Sequence, residues 1–200
     1  WGQWFDRHET WAGMANHWTD YLSRSCFLLQ QGKFVADVAF FYGEGTNITA
    51  RYQTKMPKFP KGYNYDFVNP TILCDVLQVD NGELTTKTGM RYKVLWLDNV
   101  TAMSMKVLRR LKQLADAGVT IAGGKPQRLA GMEGTPEEFS QLVNSIWGTN
   151  RTNVTVNVPL EKVLAAKGVK ADVDFGNIKS DMGFVHRALD NGDVFWVANH

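Results

Sequence analysis

Apolar residues at Trp11, Met14, Ala15, Trp18, Leu22, Cys26 and Leu29 recur at the spacing of one helical face, which predicts an amphipathic helix from Thr10 to Leu29 with a heavy aromatic load. Residues 34–42, "FVADVAFFY", are then apolar except for Asp37. That run is too short for a typical helix and rich in Val and Phe, so it predicts a strand buried on both faces. Over 43–62 prolines and glycines break any regular period. Asp66 to Leu77 reads as a short helix, and "VLQVDNGELTT" as a hairpin in which Asn81-Gly82 supplies the two positive φ angles of a type I′ turn.

A second buried strand, "YKVLWL" at 92–97, leads into a helix over 102–117 with Met103, Val107, Leu108, Leu111, Leu114 and Ala115 on its apolar side and Gly118 placed to end it. Its Lys106, Arg109, Arg110 and Lys112 fall where a solvated face should lie. "VTIAGG" predicts a third strand. "TPEEFSQLVNSIWG" predicts a helix with Thr135 as N-cap, Pro136 at its first position and Glu138 three residues beyond the cap. "NVTVNV" is a fourth strand, "PLEKVLAAKG" a helix and "ADVDF" a fifth strand. This alternation argues an α/β fold, a mostly parallel sheet with helices on both faces. The last stretch, "MGFVHRALDNGDVFWVAN", changes to a hairpin turning on Asn191-Gly192, the start of a β region.

Composition narrows the classes of function. A hydrophobic share of 44% over 200 residues supports a proper core, and the net charge of +2 comes from scattered lysines and arginines, so no nucleic-acid partner is implied. No apolar run approaches the roughly 18 residues of a spanning helix, and no membrane partner is implied. The chain opens at Trp1 without a methionine and stops within a strand pattern, as a piece of a longer protein would. Cys26 and Cys74 lie in apolar stretches and read as small buried residues rather than a disulfide framework. Sequons occur at Asn47, Asn99, Asn150 and Asn153, of meaning only if the protein is secreted from a eukaryotic cell.

Tests for known chemistry mostly exclude. Gly43 and Gly45 begin a dinucleotide fingerprint, but Ile48 stands where its third glycine belongs. "GGKP" lacks the first glycine of a phosphate loop and has Pro126 in place of the magnesium-binding hydroxyl. "HETWA" has Ala12 where a zinc protease needs its second histidine. An amidotransferase needs a nucleophile on a tight strand-to-helix elbow, and "IAGGKP" offers none. Asp6, Glu9, Asp37 and Glu44 are carboxylates without a spacing that marks an acid–base pair. The aromatics Trp1, Trp4, Phe5, Trp11 and Trp18 are candidates for a sugar-stacking platform, but Trp11 and Trp18 recur at helical spacing and read rather as core; Trp4 and Trp11, at the loop–helix boundary, are the better placed for exposure.

"RHETWAGMANHWTDYLSRSCFLLQQGKFVADVAFFYGEG", "GYNYDFVNPTIL", "GMRYKVLWLD", "AGVTIAGGKP", "SIWG" and "FVHRALDNGDVFWVAN", in that order over nearly the whole chain, resemble glycoside hydrolase family 106, the α-L-rhamnosidases. The resemblance implies a large multidomain enzyme: residues 1–32 the end of a (β/α)8 catalytic barrel, with a barrel-derived helix; 33–176 a flavodoxin-like or class I amidotransferase-like domain without the nucleophile; 177–200 the start of a β module. It also implies inverting removal of terminal α-L-rhamnose from a glycan. Two glutamates would act from barrel strands before Trp1, so no catalytic residue is carried onto this chain. A calcium ion is implied in the larger enzyme, with no metal ligand or cofactor in this segment. The other domains of the same chain are the implied partners, and the location, left open, would be periplasmic or extracellular.

Residues carried over by their match to the family pattern are Arg7, Thr10 and Trp11 of "R-x-x-T-W", Glu44 of the "GE" after the first strand, and His186 with Arg187. Loops at the carboxyl ends of barrel strands line active sites, so Arg7, His8, Trp11 and Glu44 are the substrate-binding candidates. Arg7 bracing its own loop is an equal alternative. Glu9 stands where the family would have a neutral residue, and His186–Arg187 fits a hydrogen-bonded pair at a domain junction better than a ligand contact. A noncatalytic α/β interaction or scaffold domain, and an independent flavodoxin-like binding domain, are the alternatives to a hydrolase segment.

Overall fold

The computed structural model describes residues 6–45, 59–98, 100–148, 151–178 and 180–199. A 3-10 turn at Ala12–Met14 leads into α1 (Ala15–Leu29), so the predicted helix begins later than its apolar period. The long buried strand is divided into β1 (Lys33–Phe34) and β2 (Val38–Phe41). The break between them surrounds Asp37, which is buried and paired with Lys93 Nζ at 2.8 Å. Burial holds the Asp37 carboxyl above its ordinary range, with Lys93 opposing the shift.

β3 (Tyr65–Val68) replaces the first half of the helix expected over Asp66–Leu77. Each of its residues finds a parallel backbone partner in β2, Tyr65 opposite Val38 and Val68 opposite Phe41, and that pairing outweighs local propensity. A π-type helical turn, Ile72–Val76, makes up the rest, with Asn69 Oδ1 accepting from the Ile72 backbone N–H at 2.8 Å. β4 (Gln78–Asp80) and β5 (Glu83–Thr85) form the expected hairpin, Asn81 and Gly82 having φ of 51° and 76°. β6 (Arg91–Tyr92) extends that small sheet, and β7 (Val94–Leu97) enters the main one.

After β8 (Ala102–Met103), α2 (Met105–Asp116) starts on Ser104, whose hydroxyl accepts from Val107 N–H, and is followed by Gly118 at φ 84°. β9 (Thr120–Gly123) and the short β10 (Arg128–Leu129) precede α3 (Pro136–Trp147), where Thr135 and Glu138 close the predicted capping box. β11 (Val154–Val156), α4 (Leu160–Ala166), β12 (Met182–Leu189) and β13 (Gly192–Asn199) complete the order.

The central sheet is parallel, five-stranded and ordered β11-β9-β7-β2-β3. Counted along the chain, its strands stand in the spatial order 2-1-3-4-5. One face carries Ala39, Phe41, Leu95 and Ile121 against Leu108 and Leu111 of α2 and Phe139 and Val143 of α3. The other carries Val38, Val94 and Ala122 against Leu160, Val163 and Leu164 of α4. Helices therefore cover both faces, which is why β2 is buried at every position.

Several expectations fail for identifiable reasons. "ADVDF" is not a strand; the backbone N–H of Asp172 bonds Gly62 O at 2.8 Å instead, and the fifth strand of the sheet is β3. The last hairpin turns on Asp190 and Asn191, one residue early, with Leu189 opposite Gly192. It forms its own sheet with β1 on one edge. Arg110 does not belong to a solvated face: its guanidinium donates to Leu73 O at 3.1 Å and Leu77 O at 2.6 Å, closing the carbonyl end of the π turn. Cys26 is exposed and Cys74 half-buried, so neither is the sealed core residue expected. Among the described residues no helix is long and apolar enough to cross a membrane.

The predicted apolar face of α1 is open. Trp11 is 38% exposed, Met14 64% and Trp18 53%, and within the helix Ser25 is the buried residue. The periodicity predicted the helix, while among the described residues much of its apolar face is exposed.

Candidate functional site

Three of the four predicted site residues share one segment. Residues 6–10 form successive turns, with His8 N–H donating to Asp6 Oδ1 at 2.7 Å and Ala12 N–H to Glu9 O at 3.0 Å. The Arg7, His8 and Trp11 side chains are all exposed. Trp11, Met14, Ala15, His17 and Trp18 line an open cavity of about 410 Å³, an apolar shelf with a histidine at its edge. His17 was not singled out in the sequence; its place three residues after Met14 and one before Trp18 was the available signal. Trp1, Trp4 and Phe5 lie outside the described residues.

Glu44 is committed elsewhere. Its Oε2 accepts from the backbone N–H of Ser104 at 2.6 Å, the residue that caps α2. A carboxylate at that position satisfies an orphan N–H and complements the positive end of the helix. In a parallel sheet of order 2-1-3-4-5 the crevice between the first and third strands is where a nucleotide phosphate binds, and here Glu44 fills the helix end beside it.

The elbow after β9 is closed to chemistry. Gly123 has φ 111°, and a Cβ there would lie 2.2 Å from Leu97 O. No nucleophile-bearing side chain fits that position. Beyond it, at the carboxyl ends of β7, β9 and β11, a cavity of about 370 Å³ is lined by Phe59, Trp96, Asp98, Asn157 and Glu161 among others. Asn157 holds a left-handed φ of 56° and also borders a second cavity, of about 500 Å³, with Lys125. Neither Trp96 nor Asn157 was legible as a site residue: "VLWL" reads as core and "NVTVNV" as a strand.

His186 and Arg187 form a junction. His186 Nδ1 lies 3.0 Å from Asp172 Oδ2 and Nε2 2.7 Å from Asp193 Oδ1, and the ring stacks on Phe195 at 4.1 Å between centroids. Burial opposes charge on the ring, but the two carboxylates outweigh it and raise its pKa. Arg187 Nε and Nη2 donate to Gln31 O at 2.6 Å and Gly32 O at 2.8 Å, tying β12 to the end of α1.

Of the four sequons, Asn47, Asn99 and Asn150 lie outside the described residues. The Asn153 amide donates to Ala115 O and Val119 O, both at 2.9 Å, and is committed to those carbonyls. Among the described residues no three His, Cys, Asp or Glu side chains gather as a cation site.

The model of the glycoside hydrolase 106 family, described as alpha-L-rhamnosidase, matches residues 1–200. A protein of Formosa agariphila named "Putative beta-glucuronidase" is 31% identical over 199 residues, 98% of this chain and 17% of that protein. The structure of a rhamnosidase from Novosphingobium sp. PP1Y superposes with a TM-score of 0.86 and 34% identity, covering 100% of this chain and 20% of that one. The chain thus spans a fifth or less of the length of these two relatives.

Proposed function

We propose, from the premise that this chain belongs to the glycoside hydrolase 106 family, that it is the segment of a rhamnosidase that braces and edges a catalytic barrel formed by other parts of the same protein. The observation that carries this reading is the superposition of all of this chain on one fifth of a rhamnosidase. The reaction is removal of terminal α-L-rhamnose with inversion. It needs two carboxyl groups about 6.5–9.5 Å apart with water between them. Both are assigned to residues outside these 200: the family resemblance places the two glutamates on barrel strands before Trp1, and the Asp6 carboxylate is spent on the His8 N–H of its own turn.

The proposed roles follow from the placements above. Residues 1–32 end the barrel, and the open apolar face of α1 packs on it. Residues 33–176 form the amidotransferase-like domain, for which the 2-1-3-4-5 strand order and the empty elbow at Gly123 are the support. Residues 177–200 begin a β module, locked to the rest by His186 and Arg187. Arg7 and His8 reach the sugar hydroxyls and Trp11 its apolar face. Glu44 acts through the α2 end rather than on substrate. Calcium in the larger enzyme, implied by the family resemblance, is assigned to residues outside this chain, and no step is routed through a metal.

The name of the Formosa relative favours a second reading, hydrolysis of a β-glucuronide. The test offers the full-length protein an aryl α-L-rhamnoside and an aryl β-D-glucuronide, and follows the first-formed anomer by NMR. Release of β-L-rhamnose from the rhamnoside alone is expected. Glucuronide turnover without rhamnoside turnover, or retention of configuration, overturns the corresponding part of the proposal. Inactivity on both favours the noncatalytic scaffold.

A further inference from the structure

β1 and β2 follow each other closely in the chain, yet they belong to different sheets: β1 pairs with β12, and β2 with β3 and β7. Residues 35–37 make the crossing. On one side Val35 N–H donates to His186 O at 3.0 Å. On the other, Asp37 N–H donates to Asn64 O at 3.2 Å, and Asp37 O accepts from the N–H groups of Lys93 and Val94 at 2.8 and 3.1 Å. Asp37 therefore gathers the entries of β2, β3 and β7 at the point where the chain leaves the antiparallel sheet.

The Asp37 side chain is satisfied by halves. Its Oδ1 pairs with Lys93 Nζ, while the buried Oδ2 has no hydrogen-bond partner, so the carboxylate is sensitive to charge around it. Lys93 is the cation that faces it. The anions are Glu83 of β5, itself paired with Arg91, and Asp172 from the segment after α4. The Asp172 backbone is fixed to the central layer by the bond from its N–H to Gly62 O, and the contact is close: a Cβ on Gly62 would stand 2.1 Å from Val173 O. The Asp172 carboxylate is held instead by His186 of β12, whose other ring nitrogen faces Asp193 of β13. A neutral imidazole has one N–H and cannot donate to both carboxylates. The protonated ring neutralises Asp172, whereas the neutral ring leaves its charge to act on Asp37.

We propose that these groups form a proton-operated latch between the two sheets: the His186 imidazolium holds Asp172 and closes the junction, and loss of its proton turns Asp172 against Asp37 and frees the crossing at 35–37. The direction is set by both titrating groups. Burial chiefly raises the Asp37 pKa, Lys93 opposes it, and Asp172 and Glu83 add to the rise. The His186 pKa is raised by its two carboxylates against the effect of burial. Both folded values lie above the ordinary ones, so the closed junction is firmest in mild acid and loosens as pH rises through them. The hairpin also carries α1, through Arg187 on Gln31 O and Gly32 O and through Trp196 beside Tyr21. The latch thereby sets where the segment bearing Arg7, His8 and Trp11 stands against the central sheet, whichever glycoside the protein cleaves.

The test is amide hydrogen exchange of the full-length protein at pH 6 and pH 8, corrected for the intrinsic pH dependence and read in peptides covering 33–41 and 182–199. In the wild type the crossing amides of Val35 and Asp37 are expected to open about tenfold more at pH 8, the effect of one proton bound a unit more tightly in the closed form. His186→Gln should give the crossing at pH 6 the exchange that the wild type shows at pH 8. Asp37→Asn removes the repelled charge, and should slow opening of the crossing about threefold at pH 8 with little change at pH 6. Crossing amides that ignore both pH and His186→Gln, while those of the hairpin respond, overturn the latch. So does faster exchange of Asp37→Asn at pH 8, which would make the carboxylate a structural partner of Lys93 alone. Should Asp37→Asn fail to fold, the wild-type pH comparison and His186→Gln still decide, because each reads the crossing directly.

Discussion

Replacing His186 by glutamine should loosen the β12–β13 hairpin, and by an amount that depends on pH. Both ring nitrogens face carboxylate oxygens, so both must carry protons for the two bonds to exist together, and the bound ring is a cation. The Asp172 bond joins two largely buried groups, their side chains 12% and 17% exposed, and a charge-assisted bond of that kind contributes about 1.5–3 kcal/mol. Asp193 is 51% exposed, so solvent screening limits its bond to about 0–1 kcal/mol. Glutamine keeps one donor but no charge, so a loss of about 2 kcal/mol is expected, which speeds local opening about thirtyfold. Because the folded pKa of His186 lies above the ordinary 6.5, its stabilisation is complete below about pH 6.5 and fades as pH rises through the folded value. The assay is amide hydrogen exchange of peptides covering 182–199 in the full-length protein, corrected for the intrinsic pH dependence of exchange. Wild type and variant should differ most near pH 6 and converge in alkali. Equal protection at pH 6, or a difference that widens as pH rises, would refute the imidazolium staple.

Gly123→Ala sets a Cβ against Leu97 O on a backbone at φ 111°, and should cost about 3 kcal/mol or more, read as a lower thermal inactivation temperature and less soluble protein; unchanged values would show that the elbow has room for a side chain. Arg7→Ala should raise KM for an aryl rhamnoside about tenfold if the guanidinium contacts the sugar, whereas unchanged KM and kcat with faster exchange of residues 6–14 would assign it to bracing the loop. Thr135→Ala removes one half of the capping box and should weaken α3 by about 1 kcal/mol, seen as faster exchange of its first turn and no change in turnover.

Legibility divides by the range of the forces involved. The capping box of α3, the Asn81-Gly82 turn and the glycine after α2 are settled within a few residues by hydrogen bonds and backbone freedom, and all three were readable in the chain. So were the buried strands β2, β7 and β9, because burial on both faces forces an unbroken apolar run. The missing dinucleotide and phosphate-loop glycines could be read too, since those chemistries require fixed residues at fixed spacing. The tertiary structure alone decided that Tyr65–Val68 is a strand, for its parallel partner lies in β2, over twenty residues away. The same holds for Arg110, which left its expected solvated face because two carbonyls of the π turn lie within its reach.

The site was less legible than the fold. Arg7, His8 and Trp11 are neighbours in the chain, and their common segment follows from that. Glu44 was separated from them by a bond to Ser104, sixty residues on, and the cavity lined by Trp96 and Asn157 joins strand ends that no sequence period relates. The sequence determined the capped helix α3, the Asn81-Gly82 turn and the excluded chemistries, because each depends on local conformation or fixed spacing. Which apolar face is covered, which carboxylate is spent on a helix end and where strand ends enclose a cavity depended on folding, because burial and pairing are properties of residues brought together from distant parts of the chain.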